Sequence, residues 1–282
     1  MAGELVMVSL TVMTFLSVWA PNQRIWQVCY AVLFIFGVVT SAITYQAILP
    51  MVVLALLLYH YQKEQKYSLI TGTLALLLGL ALGLHVVPGF NNYEYAANIA
   101  LSETAAKFDI WFNWDKSMFG LFVLGIVLHR SLIRNASIAR QTLKAFLPIA
   151  LTGIASIYTV GVLIGYSSFD WTPTAIFLPW ALKNMVFTVL AEEAFFRGIV
   201  QAQLAKRLNG TYSAHIAVMV AGVLFGMAHF GGGIYYVFLA SLAGVLYGYT
   251  YKITGRIEAP IITHFLLNAG HFLMFTYPYS AL

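Results

Sequence analysis

The stretch Leu69-Ile-Thr-Gly-Thr-Leu-Ala-Leu-Leu-Leu-Gly-Leu-Ala-Leu-Gly-Leu-His-Val-Val-Pro88 contains no charged side chain. A helix needs about 20 mainly apolar residues to cross the hydrocarbon core of a bilayer, so this stretch is long enough to span a membrane. Similar apolar runs recur along the chain, in which 61% of residues are hydrophobic and 9% are charged. This composition excludes an ordinary soluble domain. The sequence predicts an all-α, polytopic membrane protein with about eight to ten transmembrane helices.

The first apolar segment, Leu5 to Ala20, has no basic region before it, so we expect a retained helix and not a cleaved signal peptide. Between residues 25 and 61 the pattern allows either two helices or one helix and a segment broken near Pro50. The ten candidate spans are residues 4–20, 25–43, 46–61, 69–88, 117–129, 145–166, 174–204, 213–230, 234–251 and 259–277.

Basic residues fall in alternate connections between these spans, which by the positive-inside rule are cytoplasmic. These residues are Lys63, Lys66, Arg130, Arg134, Arg140, Lys144, Lys206, Arg207, Lys252 and Arg256. With ten spans, both termini then lie outside, in what we expect to be the cytoplasmic (inner) membrane of a bacterium or archaeon. The net charge of +5 is thereby accounted for by membrane loops and does not indicate nucleic-acid binding. Residues 91–116 form a polar insertion, which we expect to be an interfacial helix on the outer side.

Two adjacent carboxylates interrupt an apolar run in Val189-Leu-Ala-Glu-Glu-Ala-Phe-Phe-Arg-Gly198. A charge at the centre of a bilayer costs about 2.5–3.5 kcal/mol on insertion scales, so the pair needs a partner or a function. Arg197 lies four residues after Glu193 on the same helical face, whereas Glu192 is rotated about 100° around the helix. The spacing therefore pairs Arg197 with Glu193 and leaves Glu192 for chemistry, the alternative being a purely structural ion pair.

Three further polar residues lie on later spans, in Phe225-Gly-Met-Ala-His229 and His264-Phe-Leu-Leu-Asn268. His264 and Asn268 are four residues apart and share one helical face. Taken singly, a histidine on an apolar helix is more often a packing residue, and an asparagine is an interhelical hydrogen-bonding group. Together with Glu192 they supply a general base and hydrogen-bond donors, which a hydrolase needs to activate water and stabilise an oxyanion. The active site is therefore predicted among the C-terminal spans.

These motifs jointly resemble those of the CPBP family, the CAAX-protease and bacteriocin-processing group of intramembrane endopeptidases, which includes the eukaryotic Ras-converting enzyme. The resemblance rests on Glu192-Glu193-x-x-x-Arg197, Phe225-x-x-x-His229 and His264-x-x-x-Asn268, with the Gly-rich stretch from Gly244 to Pro260 between the last two, and covers about residues 180–270. It divides the chain into residues 1–170, which are transmembrane helices of unrecognised type, and residues 171–282, a CPBP-like catalytic core.

The resemblance implies a glutamate-type intramembrane protease. Glu192 would then be the general base for the attacking water, assisted by His229, while His264 and Asn268 would stabilise the oxyanion. Glu193 and Arg197 would have supporting roles. Zinc bound by Glu192, His229 and His264 is the alternative. Because the sequence lacks His-Glu-x-x-His, the helical zinc motif, we favour a metal-free site without a cofactor.

The predicted function is hydrolysis of a peptide bond in or near the lipid bilayer. The substrate would be a membrane-anchored protein or peptide, with a CAAX-type tail, a leader peptide or a C-terminal sorting signal as the candidates. A proton- or ion-coupled transporter, with Glu192 and the histidines as a relay, is the alternative from another functional class. The inverted repeats of many transporters are not apparent in the sequence. A catalytically inactive scaffold of the same fold would be expected to lack a motif residue, and none is missing.

Overall fold

The computed structural model describes residues 2–64 and 68–280, and this part of the chain is mainly helical. Each of the ten predicted spans coincides with a helix or a continuous helical run. The basic residue Lys66, used above for orientation, lies outside the described residues. The helices are α1 (Ala2–Ser17), α2 (Gln23–Val39), α3 (Ile48–Lys63), α4 (Ser68–Gly83), α5 (Trp114–Phe122), α6 (Ala136–Leu163), α7 (Phe177–Leu182), α8 (Leu190–Glu193), α9 (Ala202–Arg207), α10 (Ser213–Met227), α11 (Ile234–Thr254) and α12 (Glu258–Met274).

Wider π-helical turns extend or join several of these helices. Val123–Leu128 continues α5, Lys183–Val189 joins α7 to α8, and Ala194–Gln201 joins α8 to α9. The predicted span at 174–204 is therefore one helical run, Phe177 to Arg207, whose winding changes several times. Such π-helical turns are rare and often occur at functional sites.

Within the described part of the chain, three helical segments are long and apolar enough to cross a membrane: Tyr45–Lys63, Ala136–Leu163 and Ile234–Thr254. Four further apolar helices are shorter, with 10–17 residues each: Ala2–Ser17, Gln23–Val39, Ser68–Gly83 and Ser213–Met227. An all-α polytopic membrane protein, as predicted, is the architecture that these helices form.

Local chain chemistry decides between the two alternatives left open for residues 25–61 and corrects one predicted boundary. Pro50 does not break a helix, because it lies in the first turn of α3, where a missing N–H is tolerated. Helix α6 begins nine residues before the predicted start, because the Asn135 side chain accepts a hydrogen bond from the Ile138 N–H at 2.8 Å and caps it. Arg140 and Lys144, predicted in a connection, consequently lie within the first turns of α6.

The predicted interfacial helix at residues 91–116 is wrong. This segment contains two strands, β1 (Tyr93–Ile99) and β2 (Phe108–Phe112), paired in a two-stranded sheet. In β2 the side chains alternate, with Ile110 and Phe112 buried and their neighbours exposed. This period of two is that of a strand, and aromatic residues favour it.

The chain divides into two compact units that interleave along the sequence. Unit 1 comprises Met1–Glu94, Trp111–Arg134 and Val186–Gln203, and unit 2 comprises Tyr95–Ile110, Asn135–Met185 and Leu204–Leu282. The predicted division into residues 1–170 and 171–282 is based on the motifs and stays a prediction.

In unit 1, α5 packs closely against α8. A Cβ atom on Gly120 would lie 3.0 Å from the Ala191 Cα atom, so only glycine allows this approach of the two backbones. In unit 2, α10 and α11 form a helical hairpin in which a glycine again allows the two backbones to approach closely. A Cβ atom on Gly244 would lie 2.8 Å from the Gly222 carbonyl oxygen. Helices α6 and α12 pack on α11 in the same unit, with Phe146, Ala150 and Ala259 in a shared core.

Candidate active site

The buried ion pair of unit 1 is formed by Glu193 and Arg197. The Arg197 Nε atom lies 3.2 Å from Glu193 Oε2, and Arg197 Nη1 donates to Glu193 Oε1 at 3.3 Å. Both side chains have 0% of their surface exposed. A charge buried to this extent is tolerated only when it is paired, so the two residues depend on each other. The i,i+4 spacing predicts this partner correctly.

Glu192 has a different environment from its neighbour. It lies in the single α-helical turn α8 between two π-helical stretches, and its side chain is only partly buried. Glu193, one residue later, is fully buried, because consecutive residues of a helix point about 100° apart. Of the two carboxylates, Glu192 is therefore the less buried one.

His229 lies just beyond the end of α10 in unit 2. The predicted span at 213–230 placed it inside a helix, but α10 ends at Met227 and a 3-10 turn, Phe230–Gly232, follows. Gly233 has a φ of 86°, which glycine adopts without strain, and it turns the chain into α11. The glycine run thus ends the helix early and puts the partly buried imidazole at its end.

The hydrogen bonding of His229 sets which nitrogen can act as a base. Its Nδ1 lies 2.7 Å from the Phe225 carbonyl oxygen, to which it can only donate. In the neutral ring the proton is therefore on Nδ1, and Nε2 carries the lone pair that can accept a proton or a hydrogen bond from water.

His264 is held inside unit 2 by aromatic rings. It is 3% exposed, and the Tyr247 ring stacks on it with centroids 4.4 Å apart and an interplanar angle of 16°. Phe225 packs edge-on against it at 5.5 Å and also contacts His229 at 4.6 Å. His229 and His264 are thus packed on the same phenylalanine.

Asn268 lies one turn after His264 on α12, so the two share a helical face as predicted. Its Nδ2 donates a hydrogen bond to Asn184 Oδ1 at 3.3 Å. Asn184 is 6% exposed and lies in the π-helical stretch Lys183–Val189. The interhelical hydrogen bond expected of an asparagine in an apolar helix is therefore present.

Sequence reasoning missed two of these contact residues. Asn184 stands in an apolar run beside Lys183. An amide in such a helix needs a hydrogen-bond partner, so its presence indicates a contact with another helix. Tyr247 lies between Gly244 and Gly248, but nothing in the sequence indicates that it stacks on His264. Both contacts join residues on different helices.

The predicted catalytic residues are divided between the two units. Glu192, Glu193 and Arg197 belong to unit 1, and His229, His264 and Asn268 belong to unit 2. In residues 2–64 and 68–280, no three His, Cys, Asp or Glu side chains form a group that could hold a metal ion. The metal-free site and the roles of these residues stay predictions.

Residues 174–270 match the family model described as type II CAAX prenyl endopeptidase Rce1-like. No curated protein and no solved structure matches the chain. The match includes Glu192, His229, His264 and Asn268, and it confirms the predicted resemblance to CAAX-type intramembrane endopeptidases. Together with the apolar helices, it indicates an integral membrane protein that is a protease, and it does not favour the transporter alternative.

Proposed function

We propose that this chain is a glutamate-type intramembrane endopeptidase that cleaves a membrane-anchored protein or peptide. The observation that supports this most strongly is the match over residues 174–270, which include the carboxylate pair together with His229, His264 and Asn268. The environment of each of these residues within its own unit is compatible with the role proposed for it.

In the proposed reaction Glu192 accepts a proton from water, and the water oxygen forms a bond to the scissile carbonyl carbon. The carbonyl oxygen thereby becomes an oxyanion. The C–N bond then breaks, and the proton is passed to the leaving amine. His229 would assist through Nε2, because its Nδ1 donates to the Phe225 carbonyl oxygen. Glu192 is only partly buried, which is compatible with access of water to its carboxylate.

The oxyanion would be stabilised by His264 and Asn268. Both project from one face of α12, and each can donate an N–H group. The stacked Tyr247 ring fixes the plane of His264, so this donor needs little reorganisation during the reaction. The proposed role of Glu193 and Arg197 is to hold the helical run that carries Glu192.

His264→Ala and Asn268→Ala should each lower kcat by about 10²–10³-fold while KM changes little, because an oxyanion donor bonds more strongly as charge develops. Steady-state kinetics on one substrate would separate the two constants. Leu266→Ala, on an exposed position of the same helix, is the control for side-chain truncation and should retain activity. A raised KM with unchanged kcat would mean uniform binding instead, and the donors would then be sought in the backbone near Gly231.

Activity should survive exhaustive chelation, since the proposed water is activated by Glu192 and His229. A zinc enzyme would lose its nucleophile with its metal and recover when zinc is returned. The measurement is the cleavage rate before and after chelation, alongside the metal content of the purified protein. Stoichiometric zinc whose removal and return controls the rate would overturn the metal-free proposal.

Cleavage of a panel of membrane-anchored peptides tests the proposed function and separates its substrate classes. The panel contains a prenylated CAAX-type tail, the same tail without its prenyl group, a leader peptide and a C-terminal sorting helix. The family description names prenyl endopeptidases, which makes the prenylated tail the first candidate. We expect the purified protein to cleave one of these substrate classes and the Glu192→Gln variant to cleave none. Equal residual cleavage by both proteins would point to a contaminating protease.

A further inference from the structure

The amide of Asn184 is buried inside a helical run and directed at a proposed catalytic group. It is 6% exposed, and its Oδ1 accepts the hydrogen bond from Asn268 Nδ2 at 3.3 Å. A buried amide oxygen without a donor would be strongly disfavoured in an apolar environment. Asn184 and Asn268 are therefore constrained as a pair, although they are 84 residues apart in the sequence.

The direction of this hydrogen bond matters for the chemistry. A carboxamide nitrogen carries two hydrogens. When one of them bonds to Asn184, the plane of the Asn268 amide is fixed, and the second hydrogen points along a defined direction. A preorganised donor contributes more to transition-state stabilisation than one that must rotate into place during the reaction.

The helix that carries Asn184 is wound more widely than an α-helix at the point of this contact. Asn184 is the second residue of the π-helical stretch Lys183–Val189, where the helix is wider than an α-helix. Asparagine is a poor helix former, so propensity does not explain its presence at this position. The buried hydrogen bond to α12 supplies a reason for it.

We propose that Asn184 is a positioning residue, which orients the Asn268 amide so that it can donate to the oxyanion. This rests on the oxyanion role proposed for Asn268. Asn184 itself does not touch the substrate, and its effect on the reaction passes through Asn268. A purely structural hydrogen bond between helices would hold the fold without changing the chemical step.

The test is a double-mutant cycle with Asn184→Ala, Asn268→Ala and the double variant, measured on the intact protein in detergent. Asn184→Ala should lower kcat about five- to tenfold, which is the worth of one neutral hydrogen bond, with little change in KM. Because both residues act through one amide, the double variant should be no slower than Asn268→Ala. The proposal would be overturned if the fold-loss of kcat in the double variant equalled the product of the two single losses. It would also be overturned if Asn184→Ala had an unchanged kcat.

Thr276→Val is the matched control for loss of a buried hydrogen bond. The Thr276 hydroxyl is buried in unit 2 just after α12 and lies 2.8 Å from Ser168 Oγ. This variant should melt at a lower temperature and keep its kcat. If Thr276→Val lowers kcat as much as Asn184→Ala does, the effect is one of general stability and the proposal fails.

The cycle also separates this inference from the proposed function. A large kcat loss in Asn268→Ala without one in Asn184→Ala would leave the oxyanion role intact and remove the positioning role. Unchanged kcat in Asn268→Ala would remove both. Melting temperatures of the same four proteins give a readout that needs no substrate. Additive losses of stability would show that the two amides do not interact, and would overturn the proposal even for a protein without protease activity.

Discussion

Glu192→Gln is expected to lower kcat by at least about 10²-fold, because an amide of the same shape cannot accept the proton of the attacking water. The folded protein should be obtained in nearly normal yield, since the Glu192 side chain is only partly buried. The measurements are single-substrate kinetics and a melting curve in detergent.

Glu94→Gln is the matched control for this change. Glu94 is exposed on β1, and its conversion to an amide should leave both kcat and melting temperature unaltered. If Glu192→Gln retains kcat within about tenfold of the unmodified protein, Glu192 is not the general base.

Arg197→Ala is expected to destabilise the protein by about 3–5 kcal/mol, because it leaves the Glu193 carboxylate buried without its cation. Both side chains are fully inaccessible, and two contacts of 3.2 and 3.3 Å join them. The expected result is a poor yield and a lower melting temperature in detergent, with activity lost as a consequence.

Two further variants show whether the unpaired charge causes the loss of stability. Glu193→Gln combined with Arg197→Ala removes both charges and should be more stable than Arg197→Ala alone. Arg197→Lys keeps the charge but not the planar two-point contact, so we expect an intermediate stability. An Arg197→Ala protein as stable as the unmodified one would show that Glu193 is solvated in the membrane-embedded protein.

The spacing of residues along the sequence was sufficient to predict contacts within a single helix. The Glu193–Arg197 pair and the shared face of His264 and Asn268 follow from residues four apart, because helical geometry alone brings such residues together. The helices themselves follow from apolar runs, since a buried backbone must satisfy its own hydrogen bonds. Helix ends were less predictable. His229 lies outside α10 because of three glycines, and α6 starts at a cap formed by Asn135.

The strands at residues 93–99 and 108–112 were missed because a strand is stabilised by a partner elsewhere in the chain, whereas the interfacial aromatics are equally compatible with a helix.

The sequence by itself singled out the residues that are proposed to carry the chemistry: the carboxylates, the imidazoles and the amide stand out because polar groups are costly in apolar helices. Only the tertiary structure decided how these groups are held. The Tyr247 ring on His264 and the Asn184 amide on Asn268 are contacts between different helices. Such contacts depend on where helix backbones approach, as at Gly222 and Gly244, and that distance is set by packing of whole helices and not by residue spacing.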